Sequence, residues 1–238
     1  MKRHPYSERI KRCTGLMQEA GLDCLLLAKP ANLAYLTGDG RLCTYALITK
    51  GKVALGVPST DLEDVTRLAC FDEIAGFEDE VGMIHSIARH FAQFSIKTGS
   101  VGLEYTFLTH SMMHMLTHPH GKPEKVIPKD GTPVLSALRI VKEAEEIERI
   151  RSAATVAVAG MAASVKGLKP GMTESQVAAG AEYAMRWAGA DGFWRTYVSS
   201  GPRTNIAHGI PTQRTIEDND LVMIDIHPIV NGYSADIC

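Results

Sequence analysis

The 238 residues contain no Cys-x-x-Cys spacing, Walker loop, dinucleotide glycine fingerprint, Gly-x-Ser-x-Gly elbow or His-Glu-x-x-His pair. Zinc knuckles, nucleotide binding of the P-loop or Rossmann kind, serine-hydrolase chemistry and zincin-type proteolysis therefore have no sequence support. Cysteine is sparse and odd in number, at Cys13, Cys24, Cys43, Cys70 and Cys238, which argues for free thiols in a reducing cytoplasm and against a disulfide framework. An excess of charge of one sign is missing too. The 25 basic and 27 acidic residues leave a net charge of -2, so no overall field recommends nucleic acid or an anionic membrane as partner. No apolar run approaches the ~18–20 residues of a membrane span, and Met1 to Arg12 lacks the apolar stretch of a secretory signal. Repeats of solenoid period and low-complexity tracts are absent as well. The expectation is a soluble, cytoplasmic protein acting on small, nearly neutral molecules.

What is present is a 45% hydrophobic fraction, enough for one large domain or two ordinary ones. Ser7 to Ala20 has helix chemistry, with Ser7 as N-cap and Gly21 as the stop. Cys24 to Ala28 reads as a buried strand, and Tyr45 to Thr49 with Val53 to Val57 as a hairpin. Thr60 and Glu63 suggest a capping box. A strand near Ile74 to Phe77, a helix from Val81 to Phe94 and a strand from Val101 to Tyr105 continue an alternation that implies an α/β layer domain with a parallel or mixed sheet. Gly121 to Pro133, with three prolines, marks a domain boundary, placed at 128/129. Beyond it, Ile147, Ile150, Ala154, Val158 and Met161 give Glu143 to Lys166 the spacing of an amphipathic helix. Thr173 with Gln176 opens a second helix, and strands follow at Phe193 to Ser199, Asp220 to Ile226 and Tyr233 to Ile237.

Chemistry concentrates near the end. Asn231-Gly232 is a strong hairpin signal, because both central positions of a type I′ turn need positive φ. That turn pairs Val230 with Tyr233 and His227 with Asp236. Alternation along the strand then puts Asp225 on the face of Asp236, a diagonal neighbour roughly 7–8 Å away between Cα atoms. Two like charges held so close call for a cation or a proton. Other candidates are weaker. His110, His114 and His118 would form one stripe on a helix, followed by His120, but without carboxylates or thiols at matching spacing a polar helix face is favoured over a metal site. Gly38-Asp39-Gly40-Arg41 reads as a turn, His85 and His90 as structural, and Trp187 and Trp194 as core.

His208-Gly209-Ile210-Pro211, the run Arg214 to Val222, then Asp225, Gly232-Tyr233 and Asp236 resemble the pita-bread metallopeptidases, the family of Xaa-Pro dipeptidases (prolidases), Xaa-Pro aminopeptidases and creatinases. Asn32 to Gly38 resembles a segment of the prolidase amino-terminal domain. Leu138 to Lys142 with Glu146-Ile147 resembles the junction into the catalytic domain, and Pro170 to Glu174 its second helix start. The resemblance implies a creatinase/prolidase-type α/β amino-terminal domain over residues 1–128, followed over 129–238 by the first half of an α+β pita-bread domain. It also implies hydrolysis of Xaa-Pro bonds in short proline-containing peptides. Asp225 and Asp236 would be ligands of two divalent ions (Mn, Co or Zn), His208 would lie at the substrate, and the amino-terminal domain would mediate a homodimer.

Two departures accompany it. Where the family usually has Gly, two residues after the first ligand Asp, this chain has His227, expected beside the metals or in the substrate pocket. The family's remaining ligands, a His and two Glu, follow the second Asp, whereas this sequence stops at Cys238. These 238 residues alone are expected to be catalytically inert, their capacity to keep metal left open. A creatinase-like carbon-nitrogen hydrolase of a small metabolite and a non-catalytic pita-bread binding module stand as alternatives.

Overall fold

The computed structural model describes residues 6–96, 98–117 and 125–238. It divides into two units, Met1–Val141 and Lys142–Cys238.

In the first unit the chain runs through helix α1 (Ser7–Glu19), strand β1 (Cys24–Leu27), helix α2 (Pro30–Thr37) and the β2 (Tyr45–Thr49) and β3 (Lys52–Pro58) hairpin. Then come α3 (Leu62–Leu68), β4 (Glu73–Phe77), α4 (Glu80–Gln93), β5 (Thr98–Leu103), α5 (His110–Thr117), β6 (Lys125–Asp130) and α6 (Thr132–Arg139). The strands form one mixed sheet in the order β4-β3-β2-β1-β5-β6. All four residues of β1 are buried, because helices cover both faces of the sheet and each parity of the strand meets its own core. Leu25 and Leu27 pack with Ile10, Cys13 and Met17 of α1. Cys24 and Leu26 pack with Met83, Ile87 and Phe91 of α4.

The division falls after Val141, downstream of the boundary expected at 128/129. Pro128 does not end the domain; it sits in β6, at the sheet edge, where a missing N–H is tolerated. Val134, Leu135 and Leu138 of α6 then bury into the core around α1. Two expected caps differ as well. Ser7 is the first helical residue, after an N-cap Tyr6 that makes no side-chain capping bond. Thr60 lies in a short 3₁₀ turn, its hydroxyl directed to Asp61. His118 and His120 lie outside the described residues.

His90 of α4 is 1% exposed. Its Nδ1 is 3.0 Å from the Tyr45 hydroxyl, itself 2.6 Å from Ser86 Oγ, which donates to the Met83 carbonyl. Every hydrogen finds an acceptor if His90 Nδ1–H donates to Tyr45 and Tyr45 donates to Ser86. Burial, with Arg89 nearby, lowers the His90 pKa to about 4. Protons bind the unfolded chain more readily below the ordinary value near 6.5, so stability falls as the pH drops from about 6.5 towards about 4. We expect the first unit to lose about 2 kcal/mol between pH 7 and pH 5 from this group alone. The variant His90→Phe should flatten that window in urea melts followed at the two pH values.

The second unit begins with helices α7 (Ala144–Gly167) and α8 (Glu174–Trp187). Each opens on a reciprocal capping box, Glu143 with Glu146 and Thr173 with Gln176. Strands β7 (Gly192–Ser200), β8 (Val222–Val230) and β9 (Tyr233–Ser234) form an antiparallel sheet in that order. The buried stripe of α7 is not the one its large apolar residues suggested. Ala153, Val156, Ala157, Gly160 and Ser164 face inward, whereas Ile147 and Val158 are exposed. Close approach is the reason: a Cβ on Gly160 would stand 2.4 Å from Met185 Cγ, so small residues mark the packed face. Trp187 and Trp194, expected in the core, are 82% and 72% exposed. Trp187 lies at the end of α8, stacked on Tyr183 with ring centroids 6.1 Å apart, and Trp194 lies where β7 bulges.

Candidate metal centre

Strand β8 alternates. Ile224, Ile226 and Val230 enter the core, and Asp225 and His227 take the opposite face. Asn231 and Gly232 have φ of 49° and 80°, the double positive φ of a type I′ turn. The register is the one expected: Val230 faces Tyr233, and Ile226 faces Ile237 through two backbone hydrogen bonds of 3.1 and 3.3 Å. His227 and Asp236 are therefore opposite each other, with Asp225 diagonal. At the ribbon tip the Tyr233 hydroxyl donates to buried Glu146 at 2.9 Å.

One ligand atom each from Asp225, His227 and Asp236 lie within 4.8 Å of one another. His227 Nε2 is 3.4 Å from Asp225 Oδ1 and 3.5 Å from Asp236 Oδ1. The Asp225 side chain is 15% exposed and that of Asp236 76%. Asp225 Oδ1 is buried yet accepts no hydrogen bond among the described residues. A buried carboxylate oxygen without a donor is costly unless a cation or proton meets it. Two carboxylates and an imidazole also suit a divalent first-row metal. The residues present thus fit the group the resemblance implies.

Tyr197, paired with Asp225 across β7 and β8, was not singled out from the sequence, since only the register reveals its place. Its ring stands 5.1 Å from that of His208 and 5.8 Å, edge-on, from that of His227. His208 is exposed. Its loop is fastened to β7 by the Val198 N–H to Gly209 carbonyl bond, an approach so close that a Cβ on Gly209 would fall 2.6 Å from Ser199 Cβ. Glu174, also overlooked, holds the same loop. Fully buried, it accepts from Ser200 N and Oγ at 2.8 Å each, from Thr212 N at 3.0 Å and Oγ1 at 2.6 Å, and from Arg203. Gly38 to Arg41 is the expected turn, with Asp39 accepting from the Arg41 and Leu42 amides.

A layered α/β unit followed by helices and an antiparallel ribbon that gathers two Asp and a His describes a creatinase-type amino-terminal domain leading into part of a pita-bread domain. Comparison with known proteins agrees. Residues 9–141 match the Creatinase/Prolidase N-terminal domain, and residues 148–238 match Metallopeptidase family M24. The chain belongs to the creatinase/prolidase family. It is similar to an Xaa-Pro dipeptidase of Pyrococcus furiosus, 30% identical over 97% of this chain and 63% of that protein. Among solved structures, a prolidase from Pyrococcus horikoshii superposes with a TM-score of 0.80 at 26% identity, covering 97% of this chain and 63% of the other. An X-Pro aminopeptidase from Thermotoga maritima gives 0.80 at 27% identity over 96% and 63%. The chain thus spans about 63% of the length of these relatives.

Proposed function

We propose that the complete protein is a divalent-metal-dependent peptidase of the Xaa-Pro dipeptidase or aminopeptidase type, cytoplasmic and dimeric, acting on short proline-containing peptides. The observation that carries this is the convergence of Asp225 and Asp236 on one face of a type I′ ribbon. In this reading the two carboxylates hold a pair of divalent ions, of which Mn, Co and Zn are the candidates, together with the His and two Glu that the resemblance implies. When bound, such ions lower the pKa of water toward neutrality and polarise a carbonyl. The chain's own residues then have separate tasks. Asp225, in the middle of β8, and Asp236, just beyond the end of β9, would hold the ions from the two arms of the ribbon. His208 stands near the substrate, donating a hydrogen bond to the scissile carbonyl as charge develops there, a role worth a few kcal/mol. Tyr197, between His208 and His227, orients both rings.

His227, in place of the family's usual Gly, keeps a second reading in play, a carbon-nitrogen hydrolase of a small metabolite. The test is a substrate panel on the complete, metal-loaded protein. Hydrolysis of Xaa-Pro dipeptides, with linear and cyclic amidines untouched, is the expected result. Turnover of an amidine in preference to every Xaa-Pro peptide would replace the peptidase by the second reading. Inactivity on both classes, with no metal retained, would leave a binding module.

A further inference from the structure

Strand β7 carries a bulge between Phe193 and Thr196: Phe193 pairs with Pro228 and Thr196 with Ile226, so two residues, Trp194 and Arg195, stand opposite His227 alone. A bulge takes one residue out of the ladder and turns its backbone groups elsewhere. Here the Arg195 carbonyl lies 3.0 Å from His227 Nδ1. A carbonyl can only accept, so Nδ1 carries the hydrogen. In the neutral ring this leaves the lone pair on Nε2, the atom between the two carboxylates at 3.4 and 3.5 Å. The Tyr197 ring, edge-on at 5.8 Å, limits rotation of the imidazole.

Those separations carry meaning. Two ligand atoms each about 2.1 Å from one cation stand roughly 3.0 Å apart at a right angle and roughly 3.4 Å apart at the tetrahedral angle. A neutral Nε2 offers no hydrogen to the carboxylates, and 3.4 Å is long for a charge-assisted hydrogen bond. Metal-binding histidines, in turn, usually donate their other N–H to a carbonyl or carboxylate, which fixes tautomer and ring plane. The bulged Arg195 carbonyl supplies that acceptor.

We propose that His227 is itself a metal ligand through Nε2, adding an imidazole where the family resemblance has Gly and no side-chain donor. The inference rests on Asp225 and Asp236 being ligands. A nitrogen donor moves the preference of the site away from Mn2+ and towards later ions such as Co2+, Zn2+ and Cu2+.

The probes are Cu2+, read by pulsed EPR for coordinated imidazole nitrogen, and Co2+, titrated by its visible absorption. In His227→Gly the imidazole count should fall by one and Co2+ affinity by more than about 100-fold, beyond the 10–100-fold typical of an outer-shell partner. His227→Gln, which keeps the bulk of the side chain in the strand, should lose the same nitrogen signal. An unchanged imidazole count in both variants, with Asp225→Asn still losing the metal, would overturn the role of His227 and leave the carboxylate site standing. Metal retained unchanged in Asp225→Asn would remove both.

Discussion

Replacing Asp225 by Asn is expected to abolish tight divalent-metal binding while leaving the fold intact. Asp225 Oδ1 is buried and accepts no hydrogen bond among the described residues, so no hydrogen bond to that oxygen is lost when the charge is removed. The amide is nearly the same shape, but it brings a neutral carbonyl in place of an anion, and its NH2 group repels a cation if turned inward. Metal affinity should drop by more than about 100-fold, exceeding the loss typical of residues that only touch a ligand. Folding should respond in the opposite direction. Asp225 and Asp236 approach within 4.8 Å, and two like charges at that distance cost on the order of 1 kcal/mol in water-like surroundings. Asp236 is well exposed, so that surrounding is the relevant one. The metal-free variant should therefore melt no lower than the wild type. Added Co2+ should raise the wild-type Tm by mass action and leave the variant unmoved. Metal analysis after dialysis gives the stoichiometry directly. A full complement of metal in Asp225→Asn would sink the assignment of this ribbon as a metal centre.

That such an experiment can be designed from the sequence reflects which features are local. The type I′ turn, the 230/233 pairing and the common face of Asp225 and Asp236 follow from a two-residue turn and a period of two, and both act over a dozen residues. The Thr173 and Gln176 capping box is equally local, and the structure forms it. Features that needed distant partners were not legible. The α7 face was misjudged because Gly160 is chosen by the nearness of Met185, which no helical period reveals. Pro128 looked like a linker residue and proves to be an edge-strand residue, a distinction set by sheet order. His227 was placed on the correct face, yet its tautomer depends on a bulge in another strand. Tyr197 had no signal apart from its register. Glu174, inside a recognisable helix start, gave no hint that its partners lie at positions 200, 203 and 212.

Those partners make Glu174→Ala the substitution expected to cost the second unit most. The carboxylate is 0% exposed and takes hydrogen bonds from two backbone amides, two hydroxyls and the Arg203 guanidinium. Truncation strands the Ser200 and Thr212 donors and leaves Arg203 without its counter-charge, and removing one partner of a buried pair costs about 3–5 kcal/mol. Against a total domain stability of about 5–15 kcal/mol, that is a large share. Glu174→Gln should fall between the two. Its carbonyl can still accept from Ser200, but its NH2 group confronts the Thr212 amide and Arg203, which only donate. The pH dependence follows from the same contacts. Burial alone would push the carboxyl up, yet the hydrogen bonds from Thr212, Ser200 and Arg203 outweigh it and hold the pKa at about 2. A depressed carboxylate contributes fully above the ordinary value near 4.5 and loses its contribution as the pH falls from there to about 2, some 3 kcal/mol in all. This lies below the His90 window, so the two are separable. Urea melts at pH 7 and pH 3 cross both windows, so the Glu174 share is the part of the wild-type difference that disappears in Glu174→Gln while the His90 part remains. Hydrogen exchange should lose protection at Ser200 and Thr212, loosening the loop that presents His208. A midpoint shift no larger than that of an exposed ion pair, about 0–1 kcal/mol, would show that this buried carboxylate does not hold the loop.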